Sequence, residues 1–235
     1  MKLALMQPYI FPYLGYFQLI NAVNTFVFYD DVNFISQGWI NRNNILIGGK
    51  STLFTIPLEA ASFKLKINEI RCKKELYVIW KKKFLKTIQN SYSKAPYFTE
   101  TYDLISEVLE GGEDSAISEL AMKSVKKTST YLGINTEFKV SSNDFSKTDL
   151  KGPDRVLSIC LAEGVTSYIN PIGGLELYDK QYFSNSNINL FFIKSEFPEY
   201  TQYKYSFVKG LSIIDLIMFN GPRDIQGMLE TYQLI

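Results

Sequence analysis

Residues 3–31 read LALMQPYIFPYLGYFQLINAVNTFVFYDD, and this stretch decides the fold. Residues 3–6 are a short apolar run that predicts a buried strand, which the following prolines end because proline has no N–H to donate to a sheet. Apolar residues then recur at helical spacing over residues 15–23, and residues 25–29 form a second β-rich run. This order predicts a right-handed parallel βαβ unit.

The rest of the chain predicts a helical middle followed by renewed alternation of strands and helices. Two β-rich runs flank Gly48-Gly49-Lys50 and predict a hairpin. The next helix has an apolar stripe of Leu76, Ile79, Trp80, Phe84 and Ile88. Two further helices are predicted over residues 98–109 and 117–132. Beyond them the sequence predicts strands at 134–140, 165–169 and 188–193, and helices at 153–164, 175–183 and 211–220.

The predicted fold is a single α/β domain over residues 1–235, since neither a repeat nor a long linker interrupts the sequence. Alternating strands and helices predict an open, largely parallel, Rossmann-like sheet with helices on both faces. Residues 72–133 would form an inserted helical lobe. Ligands of such sheets bind at the carboxyl ends of the strands, so residues 7–15, 30–43 and 170–174 should surround one cleft.

Composition excludes several function classes. The chain has 25 Lys+Arg, 24 Asp+Glu and no histidine, so Ser-His-Asp catalysis, Cys-His catalysis and His-ligated zinc are ruled out. A net charge of +1 argues against a general nucleic-acid or membrane-surface binder, although a local basic face is compatible with it. With neither a signal peptide nor an apolar run of membrane-spanning length, the expected location is the cytoplasm. There, Cys72 and Cys160 should be buried free thiols.

The first loop is unusually aromatic. The 17 Phe, 16 Tyr and 2 Trp of the chain suit carbohydrate or nucleotide ligands. In this loop Gln7, Tyr9, Tyr13 and Tyr16 offer polar groups, and Gly15 would let a ligand approach a helix N-terminus. This loop follows the first strand, as the His-x-Gly-His loop of nucleotidylyltransferases does, and it resembles that loop with Tyr13 and Tyr16 in place of the two histidines. The alternative is an aromatic loop that only packs over the sheet edge.

The other two loops carry charge and glycine. Paired carboxylates at a strand end, here Asp30 and Asp31, can bind a cation, orient a sugar hydroxyl or act as a base, although acidic residues also simply end strands. Trp39 offers a stacking face and Arg42 a fork for phosphate. The third loop, with Asn170, Gly173 and Gly174, would allow close approach of phosphate to the backbone, and it is not a Walker A motif.

Several of these segments together resemble the WbqC-like family. The motifs that carry the resemblance are QPYIFPYLGYFQLI at 7–20, YDDVNF at 29–34, WINRN at 39–43, Asp154-Arg155, YINPIGG at 168–174 and LSIID at 211–215. The resemblance spans nearly the whole chain and is weakest in the helical lobe. It implies a role in bacterial surface-polysaccharide or O-antigen biosynthesis, and hence nucleotide-activated amino sugars. As further candidate site residues it adds Asn41, Asn43, Asp154, Arg155 and Asp215.

The leading hypothesis is an enzyme that transfers an acyl or aminoacyl group to the nitrogen of a nucleotide-linked amino sugar. Asp30 or Asp31 would be the base, and Tyr13, Asn43 or a backbone N–H would stabilise the oxyanion. Arg42 and the turn at Gly173 and Gly174 would hold the diphosphate. The expected partners are the nucleotide sugar and an unidentified acyl donor, with no membrane, and no nucleic acid unless the donor is an aminoacyl-tRNA. No protein metal site is predicted. The alternatives are nucleotidylyl transfer, which would need Mg²⁺, and a non-catalytic carbohydrate- or nucleotide-binding module.

Overall fold

The computed structural model describes residues 1–145 and 148–235. The strands are β1 (Lys2–Met6), β2 (Thr25–Phe28), β3 (Arg42–Ile47), β4 (Lys50–Thr55), β5 (Glu137–Val140), β6 (Ser167–Pro171), β7 (Asn189–Ser195) and β8 (Tyr232–Leu234). The α-helices are α1 (Leu14–Asn21), α2 (Lys74–Tyr92), α3 (Phe98–Leu109), α4 (Ile117–Tyr131), α5 (Ser141–Asp144), α6 (Gly152–Ala162), α7 (Lys180–Ser184), α8 (Ile213–Phe219) and α9 (Pro222–Leu229).

A six-stranded sheet in the order β5-β2-β1-β6-β7-β8 forms the centre of the fold. The first five strands in that order are parallel to their neighbours, and β8 pairs antiparallel with β7. Leu3 of β1 pairs with Thr25 of β2 on one side and with Tyr168 of β6 on the other. The prediction of an open, largely parallel sheet is therefore confirmed, and the hairpin β3–β4 is a separate antiparallel pair.

Helices cover both faces of this sheet, which is why residues 3–6 of its strand β1 are all apolar. Leu3 and Leu5 of β1 pack in one cluster with Val156 of α6. Ala4, between them, packs on the opposite face in a second cluster. That second cluster also takes in α1 and side chains of α2, α3 and α4, such as Tyr77, Ile105 and Leu120. The division into one domain with an inserted lobe at residues 72–133 stays a prediction.

The predicted apolar stripe of α2 is partly wrong. Leu76 and Ile79 are exposed, and the buried side chains of this helix are Tyr77, Phe84, Ile88 and Tyr92. Tyrosine can occupy a core position here because its hydroxyl finds a buried acceptor, and Tyr77 donates to the carbonyl of Leu109 at 2.9 Å. The helix is consequently rotated from the expected orientation.

The helix predicted at residues 175–183 is also mostly absent. A 3₁₀ turn covers Ile172–Gly174, and α7 begins only after Asp179, whose carboxylate caps the helix by accepting from the N–H of Gln181 at 2.9 Å. The sequence prediction omitted α9 and β8, which close the chain. No helix in the described ranges is both long and apolar enough to cross a membrane.

Candidate functional site

The five parallel strands end at one edge of the sheet, where the loops that follow them emerge. Strand β1 lies between β2 and β6. The N–H of Tyr29, just after β2, donates to the carbonyl of Met6 at 2.8 Å, which fixes the two strand ends side by side. The sequence predicts that the loops after residues 6, 29 and 169 leave neighbouring strands. This is confirmed, because β1 pairs with β2 on one side and with β6 on the other.

A cleft of about 380 Å³ opens at the end of β1. Its lining residues are Met6, Tyr9, Tyr13, Trp39, Asn43, Phe197, Lys209 and Gly210. The rings of Tyr13 and Phe197 stack with centroids 5.8 Å apart, and Lys209 Nζ lies 4.8 Å from the Phe197 centroid. An aromatic-walled cleft with a cation at its side can accommodate a flat or sugar-like ring that bears an anionic group.

The first loop is held rigidly around Phe11. This residue has φ of 39°, a left-handed conformation that a non-glycine side chain rarely adopts. Its N–H donates to Ser124 Oγ at 3.0 Å, and its carbonyl accepts from Asn43 Nδ2 at 2.8 Å and from Ser212 Oγ at 2.7 Å. Three elements, α4, β3 and the start of α8, thus fix the loop that carries Tyr9 and Tyr13.

The tyrosines of this loop are hydrogen-bond donors at neutral pH. Burial raises the pKa of Tyr9 to about 12, with a smaller contribution from Tyr13. Burial likewise raises the pKa of Tyr13. Tyr16 is fully buried and donates to the carbonyl of Gln7 at 2.8 Å, so it supports the loop from below. The Tyr9 and Tyr13 hydroxyls therefore remain protonated beside the cleft and cannot serve as general bases there.

Asp215 organises the loop that supplies Phe197 and Lys209. It is completely buried in α8 and accepts hydrogen bonds from Tyr92 Oη at 2.8 Å, Tyr200 Oη at 2.7 Å and Gln202 Nε2 at 2.7 Å. Burial raises the pKa of Asp215, and these three donors oppose that shift. Asp215 is thus a positioning residue that lies outside the cleft lining.

Gln202 also stabilises the loop that contains Phe197 and Lys209. Its amide oxygen accepts from the N–H of Val208 at 2.7 Å, while its amide nitrogen lies 3.2 Å from the Val208 carbonyl. Residues 196–210 are absent from the predicted site, because they lack both periodicity and a recognisable motif. The only signal available was that they follow the carboxyl end of a parallel strand.

Asp30 and Asp31 have different surroundings. Asp30 is buried, and its two oxygens accept from Ser141 Oγ, from the N–H and hydroxyl of Ser142, and from Asn68 Nδ2, at 2.6–3.2 Å. It therefore fastens the start of α5 to the end of β2. The Asp31 carboxylate bonds to Ser141 Oγ and lies 3.7 Å from Arg155 Nη2, with its side chain 18% exposed.

Asp31 belongs to a polar cluster on the α6 face of the sheet. Burial and the charge of Asp31 raise the pKa of Tyr29 to about 12, although Arg155 opposes them. Tyr168 donates to Asn170 Oδ1 at 3.0 Å, and its ring lies edge-on to Tyr178 at 5.8 Å. Tyr29, Tyr168 and Tyr178 pack with the α6 cluster, whereas Tyr9 and Tyr13 pack with the cluster on the other face. The predicted site residues are therefore divided between two faces of the sheet.

The glycines proposed for ligand approach have unlike surroundings. A Cβ at Gly174 would overlap the Asn170 side chain, so this glycine is needed for packing. A Cβ at Gly173 would meet nothing within 4 Å. A Cβ at Gly15 would lie 2.5 Å from Tyr13 Cε2 and 2.7 Å from Ser195 Oγ, so this glycine lets the Tyr13 ring lie against the chain.

The remaining predicted residues lie near the cleft without lining it. Asn41 donates to the carbonyl of Ile56 at 2.9 Å. Arg42 donates to the carbonyls of Gly38 and Gln37 and so fixes the turn that presents Trp39. Gln7 has a buried Oε1 without a hydrogen-bond donor among the described residues. Within the same residues, His, Cys, Asp and Glu side chains form no group that could hold a metal ion.

Comparisons with known proteins place the chain among relatives that match along nearly all of its length. The model of the WbqC-like protein family matches residues 7–227. Uncharacterized protein Rv1507c of Mycobacterium tuberculosis is 27% identical over 222 residues, which cover 94% of this chain and 94% of that protein. No solved structure matches the chain.

Proposed function

The chain belongs to the WbqC-like protein family, and from that premise we propose that it is an enzyme of bacterial surface-polysaccharide biosynthesis that acylates a nucleotide-linked amino sugar. The group transferred to the sugar nitrogen would be an acyl or aminoacyl group. Family membership supports the polysaccharide setting, and the architecture of the sheet edge supports a ligand of this class.

The observation that carries the proposal is the cleft beside β1. Trp39 and the stacked pair of Tyr13 and Phe197 give flat apolar faces on which a base or a sugar ring can stack. Lys209 lies beside those faces and can pair with a diphosphate. Tyr9 adds a protonated hydroxyl for sugar oxygens. A nucleotide sugar combines all three features in one molecule.

The proposed transfer requires a base and an oxyanion donor. The sugar amine attacks the acyl carbonyl, so an N–C bond forms, the bond from the acyl carbon to its leaving group breaks, and the ammonium proton passes to the base. Asp31 is the proposed base, because its side chain is 18% exposed, whereas Asp30 is buried and accepts from the N–H and hydroxyl of Ser142 and from Asn68 Nδ2. Tyr13 packs on the face of the sheet opposite the α6 face, which carries Asp31. Its hydroxyl would therefore bind the nucleotide sugar in the cleft, and a backbone N–H at the strand ends would donate to the oxyanion.

Product mass tests this proposal directly. The purified chain is incubated with nucleotide-linked amino sugars and acyl or aminoacyl donors, and the products are weighed by mass spectrometry. A mass increase on the sugar nitrogen, lost in Trp39→Ala and kept in Tyr205→Phe, is the expected result. Diphosphate release when a nucleoside triphosphate and a sugar phosphate are supplied instead would identify nucleotidylyl transfer, and tight binding without turnover would identify a binding module. Either outcome overturns acyl transfer.

A further inference from the structure

Helix α2 exposes an apolar surface that the core of this chain does not use. Leu76, Val78 and Ile79 are 46%, 50% and 53% exposed, although three large apolar side chains so close together ordinarily face a core. Leu53 of β4 is 49% exposed as well. A groove of about 430 Å³ separates the two elements, with Leu53 on the hairpin side and Trp80 on the helix side.

The same helix carries an excess of positive charge. Among its 19 residues are five lysines and one acidic residue, Glu75. Lys74 pairs with Asp114 and Lys81 with Glu110. No ion pair of the other three, Lys82, Lys83 and Lys86, occurs in the part of the chain that the structure describes. These lysines are spaced so that they share one side of the helix with Ile79.

We propose that this surface, consisting of Leu53, Leu76, Ile79, Lys82, Lys83 and Lys86 and called here the α2 face, docks on a membrane that contains anionic lipids. An interfacial helix needs apolar side chains that enter the acyl boundary and lysines that remain at the headgroups. The α2 face has both within residues 76–86, which is about 15 Å of helix. The overall charge of +1 is compatible with this, because the basic groups are concentrated locally.

The apolar residues distinguish a lipid surface from nucleic acid. A phosphate backbone would pair with the lysines and leave Leu76 and Ile79 in water, whereas a bilayer buries them. The lysines in turn distinguish a lipid surface from a second copy of the chain, since two copies would bring like charges together at a symmetric interface. This inference does not depend on the proposed acyl transfer.

Sedimentation of the full chain with vesicles tests the proposal. We expect binding to phosphatidylcholine mixed with phosphatidylglycerol, little binding to phosphatidylcholine alone, and weakening at high salt. Lys82→Gln, Lys83→Gln and Lys86→Gln combined should weaken binding by roughly tenfold or more. Leu76→Ser combined with Ile79→Ser should weaken it to a similar extent. The matched controls are Leu161→Ser and the combination of Lys151→Gln, Lys180→Gln and Lys194→Gln, which change exposed residues elsewhere.

A fluorescence measurement locates the contact. The chain has two tryptophans, so Trp39→Phe leaves Trp80, at the edge of the α2 face, as the single reporter. Its emission should shift to the blue when anionic vesicles are added. Absence of binding, or binding that the serine variants do not weaken, overturns the proposal. Binding to RNA that only the lysine variants abolish, or a dimer that the serine variants dissociate, overturns it in favour of those partners.

Discussion

Asp31 lies 3.7 Å from the guanidinium of Arg155, and this pair joins the loop after β2 to the first turn of α6. Its neighbour Asp30 is fastened to α5 by hydrogen bonds to Ser141 and Ser142. Two adjacent carboxylates thus hold different elements to the same strand end. Their environments predict that both carboxylates contribute to stability, and the proposed mechanism assigns activity to Asp31.

Asp30→Asn should lower the free energy of unfolding more than it lowers turnover. The asparagine amide would place an N–H where an oxygen now accepts, leaving a buried donor beside Ser142 or Asn68 without an acceptor. Such a change lowers the free energy of unfolding by about 1–3 kcal/mol. Asp31→Asn should also lower the free energy of unfolding, by up to about 3–5 kcal/mol, because the Arg155 side chain that faces this carboxylate is only 5% exposed and a buried ion pair loses one of its charges. Under the proposed mechanism it should abolish turnover, because an amide cannot accept the proton.

Urea unfolding and product mass, measured on both variants, check this assignment. Asp149→Asn is the control, because Asp149 is exposed and precedes α6. Full turnover by Asp31→Asn would remove the acid–base role of Asp31. Unchanged stability of Asp30→Asn would show that the bonds to α5 contribute little.

The sequence predicts the sheet well because the strands and helices that build it are indicated by patterns among neighbouring residues. Residues 3–31 contain two apolar strands and one helical period, and the chirality of the crossover leaves one arrangement for them. The orientation of α2 is not predictable in this way. Tyr77 is polar by type, and only its distant partner, the carbonyl of Leu109, makes it a core residue. Apolar periodicity therefore selected Leu76 and Ile79 for the core in its place.

The candidate site likewise has one part that local sequence signals predict and one part that they do not. Tyr9, Tyr13, Trp39 and Asn43 could be selected from the sequence because they follow predicted strands, and all four line the cleft. The opposite wall comes from residues 196–210, whose path depends on hydrogen bonds to a buried carboxylate. Sequence patterns do not reveal such contacts. The catalytic and binding roles of all these residues remain predictions.

Gly15→Ala should weaken ligand binding by displacing the Tyr13 ring. The new methyl group would lie 2.5 Å from Tyr13 Cε2, so the ring must leave its place against Phe197. Overpacking of this kind costs about 1–3 kcal/mol of stability. Calorimetry with a nucleotide sugar and urea unfolding would measure the two effects. Gly227→Ala in α9 is the matched control, because nothing lies within 4 Å of its added methyl group and the residue is outside the predicted site.

A double-mutant cycle separates the Tyr13 clash from the Ser195 clash. If the ring is the main obstacle, Tyr13→Ala should reduce the stability cost of Gly15→Ala, and the two changes should not be additive. Additive costs would instead assign the clash to Ser195, whose Oγ lies 2.7 Å from the added methyl group.

Cys72 and Cys160 should resist thiol reagents in the native protein. Both are buried, free thiols, and burial raises the pKa of each to about 12, so the reactive thiolate is scarce at neutral pH. Reaction with a disulfide reagent should become fast only in denaturant, and its rate should follow unfolding. Rapid labelling of the folded chain at pH 7 would contradict the burial of these thiols.

Tyr200→Phe should destabilise the protein at neutral pH and recover part of that loss in acid. The folded pKa of Asp215 lies above its ordinary value because the carboxyl is buried. Between the unfolded and folded pKa values the folded chain therefore binds more protons, so the free energy of unfolding falls as pH rises through that window. Removing the Tyr200 donor raises the folded pKa further and extends the window upward.

Urea unfolding of Tyr200→Phe and wild type at pH 7 and at successively lower pH checks the direction in which the free energy of unfolding changes with pH. At pH 7 the variant should lose about 1–3 kcal/mol, since it loses a hydrogen bond to a buried charge. The difference from wild type should shrink as protonation removes that charge. Tyr205→Phe is the control on the same loop, because Tyr205 is exposed and makes no described hydrogen bond to Asp215. A loss that stays equal at every pH would show that Tyr200 stabilises the loop independently of the charge on Asp215.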